Sequence, residues 1–87
     1  MNALVLPAEL SIRQLEPLRA ELAAAIAAGG PIVLDGKAVE RVDTAALQLL
    51  CAAVSAGAQL SWQSPAEPMV SAAELLGLAH HLGLGRP

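Results

Sequence analysis

The sequence predicts an α/β fold in which a mostly parallel (mixed) sheet of about four strands packs against helices. Ile32, Val33 and Leu34 form an aliphatic run after a glycine-proline break, a pattern typical of a strand buried on both faces. Extended and helical segments alternate along the chain, which favours parallel strand pairing. Eighty-seven residues are enough for one hydrophobic core, so we expect a single domain spanning 1–87.

The first third of the chain predicts one or two short strands and then a helix. Leu4 to Leu6 is an extended segment closed by Pro7, and Leu10 to Ile12 is a second candidate strand. A capping box of Ser11 and Gln14 would place Pro17 in the second helical turn, so the helix is either kinked there or starts near Pro17. Apolar residues then recur at helical spacing, at Leu15, Leu18, Leu22 and Ile26, as far as Gly29.

The remainder predicts two more helices and one strand. A helix from about Ala45 to Ala56 has only Gln48 and Ser55 as polar residues and should be largely buried. Alternating residues 59–62 predict a half-buried strand. Ser64, Pro65 and Glu67 resemble a capping box, although Pro68 can shift the helix start by one turn. That helix ends at Gly77, and residues 78–84 add a last short turn.

Composition argues against several classes of function. The five basic residues form no run and the formal net charge is −3, so nucleic-acid binding has no electrostatic basis. The N-terminus lacks a basic leader, and no apolar stretch is long enough to span a bilayer, so direct membrane insertion is not expected. Cys51 is the only cysteine and fits a small hydrophobe in a reduced, cytoplasmic protein.

The junction between Val42 and Leu47 is the most informative site. Asp43 and Thr44 follow an apolar segment and precede a helix, and functional residues gather at the carboxyl ends of strands in parallel sheets. The Thr44 hydroxyl could cap the helix, contributing about 1 kcal/mol. The same hydroxyl lies where a phosphate is favoured by the helix dipole.

In order and spacing, these segments resemble the STAS family, the small α/β domains that include bacterial anti-sigma factor antagonists. The resemblance rests on the strand ending at Asp35 and on residues 42–47, which are similar to the family's signature of a hydrophobic residue, Asp-Ser/Thr, a small residue and leucine. Residues 57–60 and 75–78 resemble the following strand and the closing helix. Two positions depart from the usual pattern, because Ala46 replaces glycine and Thr44 replaces the commoner serine.

The resemblance implies a non-catalytic regulatory module acting through protein contacts in bacterial signalling, with a link to chemotaxis or two-component systems. In the antagonists a kinase phosphorylates the hydroxyl residue after the aspartate, which nominates Thr44 as the switch. The partner is then a kinase that also acts as an anti-sigma factor, or a chemotaxis protein. Its contact residues would be Asp43, Thr44, Ala45, Ala46 and Gln48. The alternative is a regulatory subunit of a phospholipid-transport ABC system, whose partner is the ATPase.

Other classes of function have weaker support. Residues 43–47 are weakly similar to the Asp-Ser-Leu attachment motif of acyl carrier proteins. The strand predicted at residues 32–34 does not suit such a carrier, which is all-helical. Glu40, Asp43 and Asp35 could be paired carboxylates, yet acidic residues at turns are usually solvated. Adjacent His80 and His81 point to different sides of a helix and cannot both face one metal without a third ligand. We therefore expect no bound metal or cofactor, and no enzymatic activity. The weakly charged surface also allows a homodimer, with Leu82 or Leu84 exposed in the contact.

Overall fold

In a computed structural model, which describes residues 3–84, strands and helices alternate as the sequence predicts. The strands are β1 (Leu4–Val5), β2 (Glu9–Leu10), β3 (Pro31–Asp35), β4 (Arg41–Val42) and β5 (Gln59–Gln63). The helices are α1 (Leu15–Ala28), α2 (Thr44–Ser55), α3 (Glu67–Leu75) and α4 (Ala79–Leu82). Every strand pair within residues 3–84 is parallel, so the predicted α/β class is confirmed.

The strands divide between two sheets rather than forming one sheet of about four. The larger sheet has the order β1-β3-β5, and its register places Leu34 between Leu4 and Trp62. The smaller sheet pairs β2 with β4, with Leu10 opposite Val42. β4 lies directly before α2, where Asp43 and Thr44 were predicted to follow an extended apolar segment.

Helix α1 starts without a kink because of where Pro17 falls. A 3-10 turn at Ile12–Gln14 leads into α1, and Pro17 is the third residue of the α-helix. The first four N–H groups of an α-helix have no partner within it, so proline costs nothing there. The prediction of a start near Pro17 is therefore confirmed, whereas the Ser11 side chain makes no capping bond.

The predicted capping box before α3 does not form. The helix begins at Glu67 with Ala66 at the N-cap position and a proline in its first turn, so its start is shifted from Ser64 in the predicted direction but by less than a full turn. Ser64 has a φ of 52° and therefore lies in the left-handed region, away from the N-cap position. The Ser71 hydroxyl instead donates a 3.0 Å hydrogen bond to the Glu67 carboxylate within the helix.

The core lies between the larger sheet and the helices. It is built from sixteen buried apolar residues: Leu6, Leu10, Leu18, Leu22, Ile32, Leu34, Val39, Ala46, Leu47, Leu50, Ala53, Met69, Val70, Ala73, Leu82 and Leu84. The prediction that Leu82 and Leu84 are exposed is wrong, because the last turn folds back and α4 packs against α2. The exposed leucines are Leu75 and Leu76 at the end of α3.

Candidate functional site

Asp43 connects the smaller sheet to α2. Its backbone N–H donates a 2.9 Å hydrogen bond to the carbonyl oxygen of Leu10, which belongs to β2. Its own carbonyl oxygen accepts from the backbone N–H of Ala46 at 3.0 Å and that of Leu47 at 3.4 Å, which opens the helix. Asp43 therefore occupies the N-cap position, with φ −82° and ψ 150°, and is held from both sides by backbone bonds.

Thr44 is the first residue of α2, not its cap. The prediction that its hydroxyl caps the helix is wrong, because the N-cap residue is Asp43 and no side chain makes a capping bond. Thr44 is exposed, so its hydroxyl is at the surface beside the positive end of a twelve-residue helix.

The other residues of the predicted contact set differ in their access to a partner. Gln48 is exposed, and Ala45 is half-buried. Ala46 is fully buried in the core beside Leu47 and Leu50. Its methyl group therefore points inward, away from an approaching partner, so the surface at this corner consists of Asp43, Thr44, Ala45 and Gln48.

The exposed side of α2 continues from this corner along the whole helix. The prediction that α2 is largely buried therefore holds for one side only. The exposed residues repeat at three- and four-residue steps, and we call them the α2 face: Thr44, Gln48, Ala52 and Ser55. The sequence of α2 contains no charged residue, so the α2 face is a flat, uncharged surface of small side chains with one glutamine.

The smaller sheet places charged groups beside the start of α2. Glu9 pairs in register with Arg41, and the backbone N–H of Glu40 donates a 2.7 Å hydrogen bond to the carbonyl oxygen of Ala8. Glu9, Glu40, Arg41 and Asp43 are all exposed. The corner therefore combines an uncharged helical surface with a mainly acidic border.

The carboxylates considered as a catalytic pair lie in different environments. Asp35 is buried at the end of β3, where its Oδ1 accepts the backbone N–H of Lys37 at 3.1 Å. Its Oδ2 lies 3.8 Å from Nζ of the same lysine. Glu40 and Asp43 are exposed. Asp35 thus stabilises the turn after β3 instead of facing the exposed corner.

Neither histidines nor clefts add a second site near Thr44. Within residues 3–84, no three His, Cys, Asp or Glu side chains lie close enough together to hold a metal ion. A cleft of about 200 Å³ lies between α1 and β1, a second of about 180 Å³ lies between the end of α1, Leu4 and β3, and neither is lined by a residue of the Asp43–Gln48 corner. Cys51 is half-buried on α2, and burial raises the pKa of its thiol. Across the described residues, the helices are too short or too polar to cross a bilayer.

This fold and this corner define a class of protein: a small parallel α/β domain in which the start and one side of a helix are exposed. A family model described as "Mlab, STAS domain" matches residues 2–85. The chain belongs to the STAS domain family, which confirms the resemblance found in the sequence. No curated protein and no solved structure matched the chain significantly. STAS domains are generally non-catalytic regulatory modules that act on protein partners, so this chain is an anti-sigma factor antagonist-like regulatory module.

Proposed function

We propose that a partner protein docks over the Asp43–Thr44 corner and along the α2 face, and that Thr44 controls this contact in a bacterial signalling pathway. The observation that carries the proposal is the exposure of Thr44 on the first turn of a helix without charged residues. A partner can bury the α2 face without leaving a charge unpaired, which would be costly, whereas the exposed Asp43 carboxylate at the corner needs a donor from the partner. The chain itself performs no catalysis.

A phosphate on Thr44 would change this contact without unfolding the domain. Phosphorylation adds nearly two negative charges. The helix dipole favours negative charge at this end, whereas the adjacent Asp43 carboxylate opposes it. Because the Thr44 side chain makes no capping bond, phosphorylation would not break a hydrogen bond that holds the start of α2. The added charge would instead act on the docked partner, which would have to bury it.

A second candidate is an adaptor without a phosphate switch, acting as the regulatory subunit of an ABC phospholipid transporter. The observation that favours it is threonine at position 44, because unphosphorylated threonine occurs in STAS domains that act only as adaptors. The same surface would then contact the ATPase. The two candidates differ in the partner and in whether Thr44 is modified, but they share the docking site.

Binding to a purified candidate partner, an anti-sigma factor kinase or an ABC ATPase, tests the docking site. We expect Gln48→Arg and Thr44→Glu each to weaken the complex by about tenfold or more in calorimetry. Ala24→Glu and Ala24→Arg, on the exposed side of α1, are the matched controls and should stay within about twofold of the wild type. Unchanged affinity of both α2 variants would refute the docking site.

Phosphorylation is tested separately. The wild-type chain and Thr44→Ala are incubated with ATP and the candidate kinase, and intact masses are measured. A gain of one phosphate by the wild type alone supports the switch. If the wild type gains none while the α2 variants still weaken binding, the adaptor candidate is correct.

A further inference from the structure

Strand β5 forms one edge of the larger sheet and pairs with β3 on one side only. The backbone N–H of Gly36 donates a 3.2 Å hydrogen bond to the carbonyl oxygen of Gln63, so the backbone groups of Gln63 face β3. In a strand the backbone groups of successive residues point to opposite edges. The N–H and C=O groups of Leu60 and Trp62 therefore point outward, where no strand within residues 3–84 pairs with them.

The other edge strands carry features that hinder pairing with another chain. β1 has two residues and is soon followed by Pro7, which has no N–H. In the smaller sheet, β2 contains Glu9 and β4 contains Arg41. Short strands, prolines and charged side chains are the usual protection of sheet edges. β5 has five residues and neither a charge nor a proline, so among the strands of residues 3–84 its edge is unprotected.

The segment after α4 approaches this edge without bonding to it. A methyl group on Gly83 would lie 3.9 Å from the carbonyl oxygen of Leu60, an ordinary van der Waals distance. The backbone N–H of Gly83 donates to the carbonyl oxygen of His80, and that of Leu84 to Ala79. Both donors are therefore used within the last turn, and the outer edge of β5 keeps its hydrogen-bonding groups.

The edge of β5 is complementary to itself. If two copies run antiparallel about a two-fold axis at Ser61, Leu60 of one copy lies opposite Trp62 of the other. The backbone groups of both residues point outward, so each such pair exchanges both of its N–H···O=C bonds. The two-fold axis makes the second pair identical to the first. Such an interface is closed, because both outer edges are used in one contact.

The side chains that meet across this axis are also compatible. On one face of the sheet, Ser61 would lie opposite Ser61 of the second copy and Gln59 opposite Gln63, so no like charges meet. On the other face, Leu60 and Trp62 would form aliphatic-aromatic pairs, which stabilise antiparallel strands. Both are half-buried in the single chain, so the pairing removes further apolar surface from water.

The face of the sheet that carries Ser61 is partly open to solvent. On β3, Ile32 and Leu34 are buried but Val33 is half-buried, so the prediction of a strand buried on both faces is wrong. Ser61 pairs in register with Val33 and is exposed. The carboxylate of Asp35 on this face is buried one strand inward from the edge. A longer side chain at position 61 can therefore extend into solvent without disturbing the core.

We propose that a second copy of this chain pairs with β5, edge to edge and antiparallel, so that the two larger sheets become one continuous sheet. A five-residue strand is only about 17 Å long, and contacts well below about 800 Å² on each partner are weak. The dimer is therefore concentration-dependent, with a Kd of about 10 μM to 1 mM. This inference goes beyond the proposed function and uses a different surface from the α2 face.

Opposite charges at position 61 test the axis. Ser61→Lys and Ser61→Asp each place like charges opposite each other in the dimer, which destabilises the pairing. We expect the wild-type chain to dimerise in sedimentation velocity as its concentration rises to about 1 mM, and each variant alone to stay monomeric. An equimolar mixture of the two variants should dimerise again, because lysine then lies opposite aspartate. Ala24→Arg, on the exposed side of α1, is the control and should dimerise like the wild type.

The outcomes separate this inference from the proposed function. A dimer that survives in Gln48→Arg, is lost in both Ser61 variants and returns in their mixture supports the inference, whatever the partner-binding results. A wild-type chain that stays monomeric at about 1 mM overturns it. A dimer that persists in both Ser61 variants, or that Gln48→Arg abolishes, uses another surface and overturns it too. If the wild type is monomeric and both Ser61 variants weaken binding to the candidate kinase or ATPase, a strand of that partner occupies the edge instead.

Discussion

The backbone N–H of Asp43 donates a hydrogen bond to the carbonyl oxygen of Leu10, and this bond fixes the start of α2. Leu10 is itself buried, so the N-cap residue is attached to a part of the chain that the core holds in place. The position of the Thr44 side chain thus depends on packing more than thirty residues earlier in the sequence. The backbone of the exposed corner is therefore held by the core, although its side chains are at the surface.

Replacing Leu10 should destabilise the domain strongly. Leu10→Ala removes a fully buried side chain and leaves a cavity, so we expect the free energy of unfolding to fall by about 2–5 kcal/mol in urea denaturation. Ile12→Ala is the matched control, because Ile12 is 71% exposed and should change stability by less than about 0.5 kcal/mol. Equal losses in the two variants would contradict the packing described here.

Removing the Thr44 hydroxyl should leave stability nearly unchanged. A capping threonine would cost about 1 kcal/mol when replaced by alanine. Thr44 is instead an exposed first-turn residue that makes no capping bond, so we expect Thr44→Ala to cost less than about 0.5 kcal/mol. Ser55→Ala, at the other end of α2, is the control. If Thr44→Ala alone lost the stability of about 1 kcal/mol expected for a capping threonine, the hydroxyl would have to bond the helix backbone in solution.

Much of this fold follows from local sequence signals. Strands β3 and β5 and the ends of α1 and α2 were predictable, because aliphatic runs, alternation and the glycines at positions 29 and 57 act over a few residues. The pairing of β2 with β4 was not, since two-residue strands have no measurable period. The burial of Leu82 depends on α4 folding against α2, a contact between distant segments.

The candidate site was predictable in position but not in detail. Aspartate and threonine are both good N-cap residues, so sequence alone could not decide which one caps α2. The Asp43 bond to Leu10 decides it, and that bond requires β4. The α2 face could not be predicted from the sequence for a different reason. Alanine occupies buried and exposed positions equally well, so Ala46 and Ala52 look alike in sequence although only Ala52 is at the surface.

The only tryptophan should report on the packing of α4. The indole Nε1 of Trp62 donates a 2.7 Å hydrogen bond to the carbonyl oxygen of Leu82. Trp62→Phe keeps a ring but leaves this carbonyl without its donor, which should cost about 1–2 kcal/mol of stability, measured by circular dichroism. Leu75→Ala is the control, because Leu75 is 86% exposed and should cost almost nothing. If Trp62→Phe left the stability unchanged, water would have to replace the lost donor at the Leu82 carbonyl oxygen.

Cys51 should react slowly in the folded protein. Burial raises the pKa of its thiol, so less of it is thiolate at a given pH than in an unfolded chain. We expect iodoacetamide at about pH 8 to label the native protein more slowly than the urea-unfolded protein. The raised pKa also means that stability is lost as pH rises above the unfolded value, since the unfolded state then releases the proton first. Cys51→Ser should lack this alkaline loss.

Asp35 should stabilise the turn after β3 mainly through its backbone bond, not through its ion pair. Lys37 is mostly exposed and its Nζ lies 3.8 Å from Oδ2, so Lys37→Met should cost less than about 0.5 kcal/mol. Asp35→Ala leaves the backbone N–H of Lys37 without its acceptor and should cost about 1–3 kcal/mol. Asp35→Asn keeps an oxygen that can accept this bond, so its loss should be smaller than that of Asp35→Ala. If Lys37→Met were as destabilising as Asp35→Ala in urea denaturation, the ion pair would be the dominant interaction.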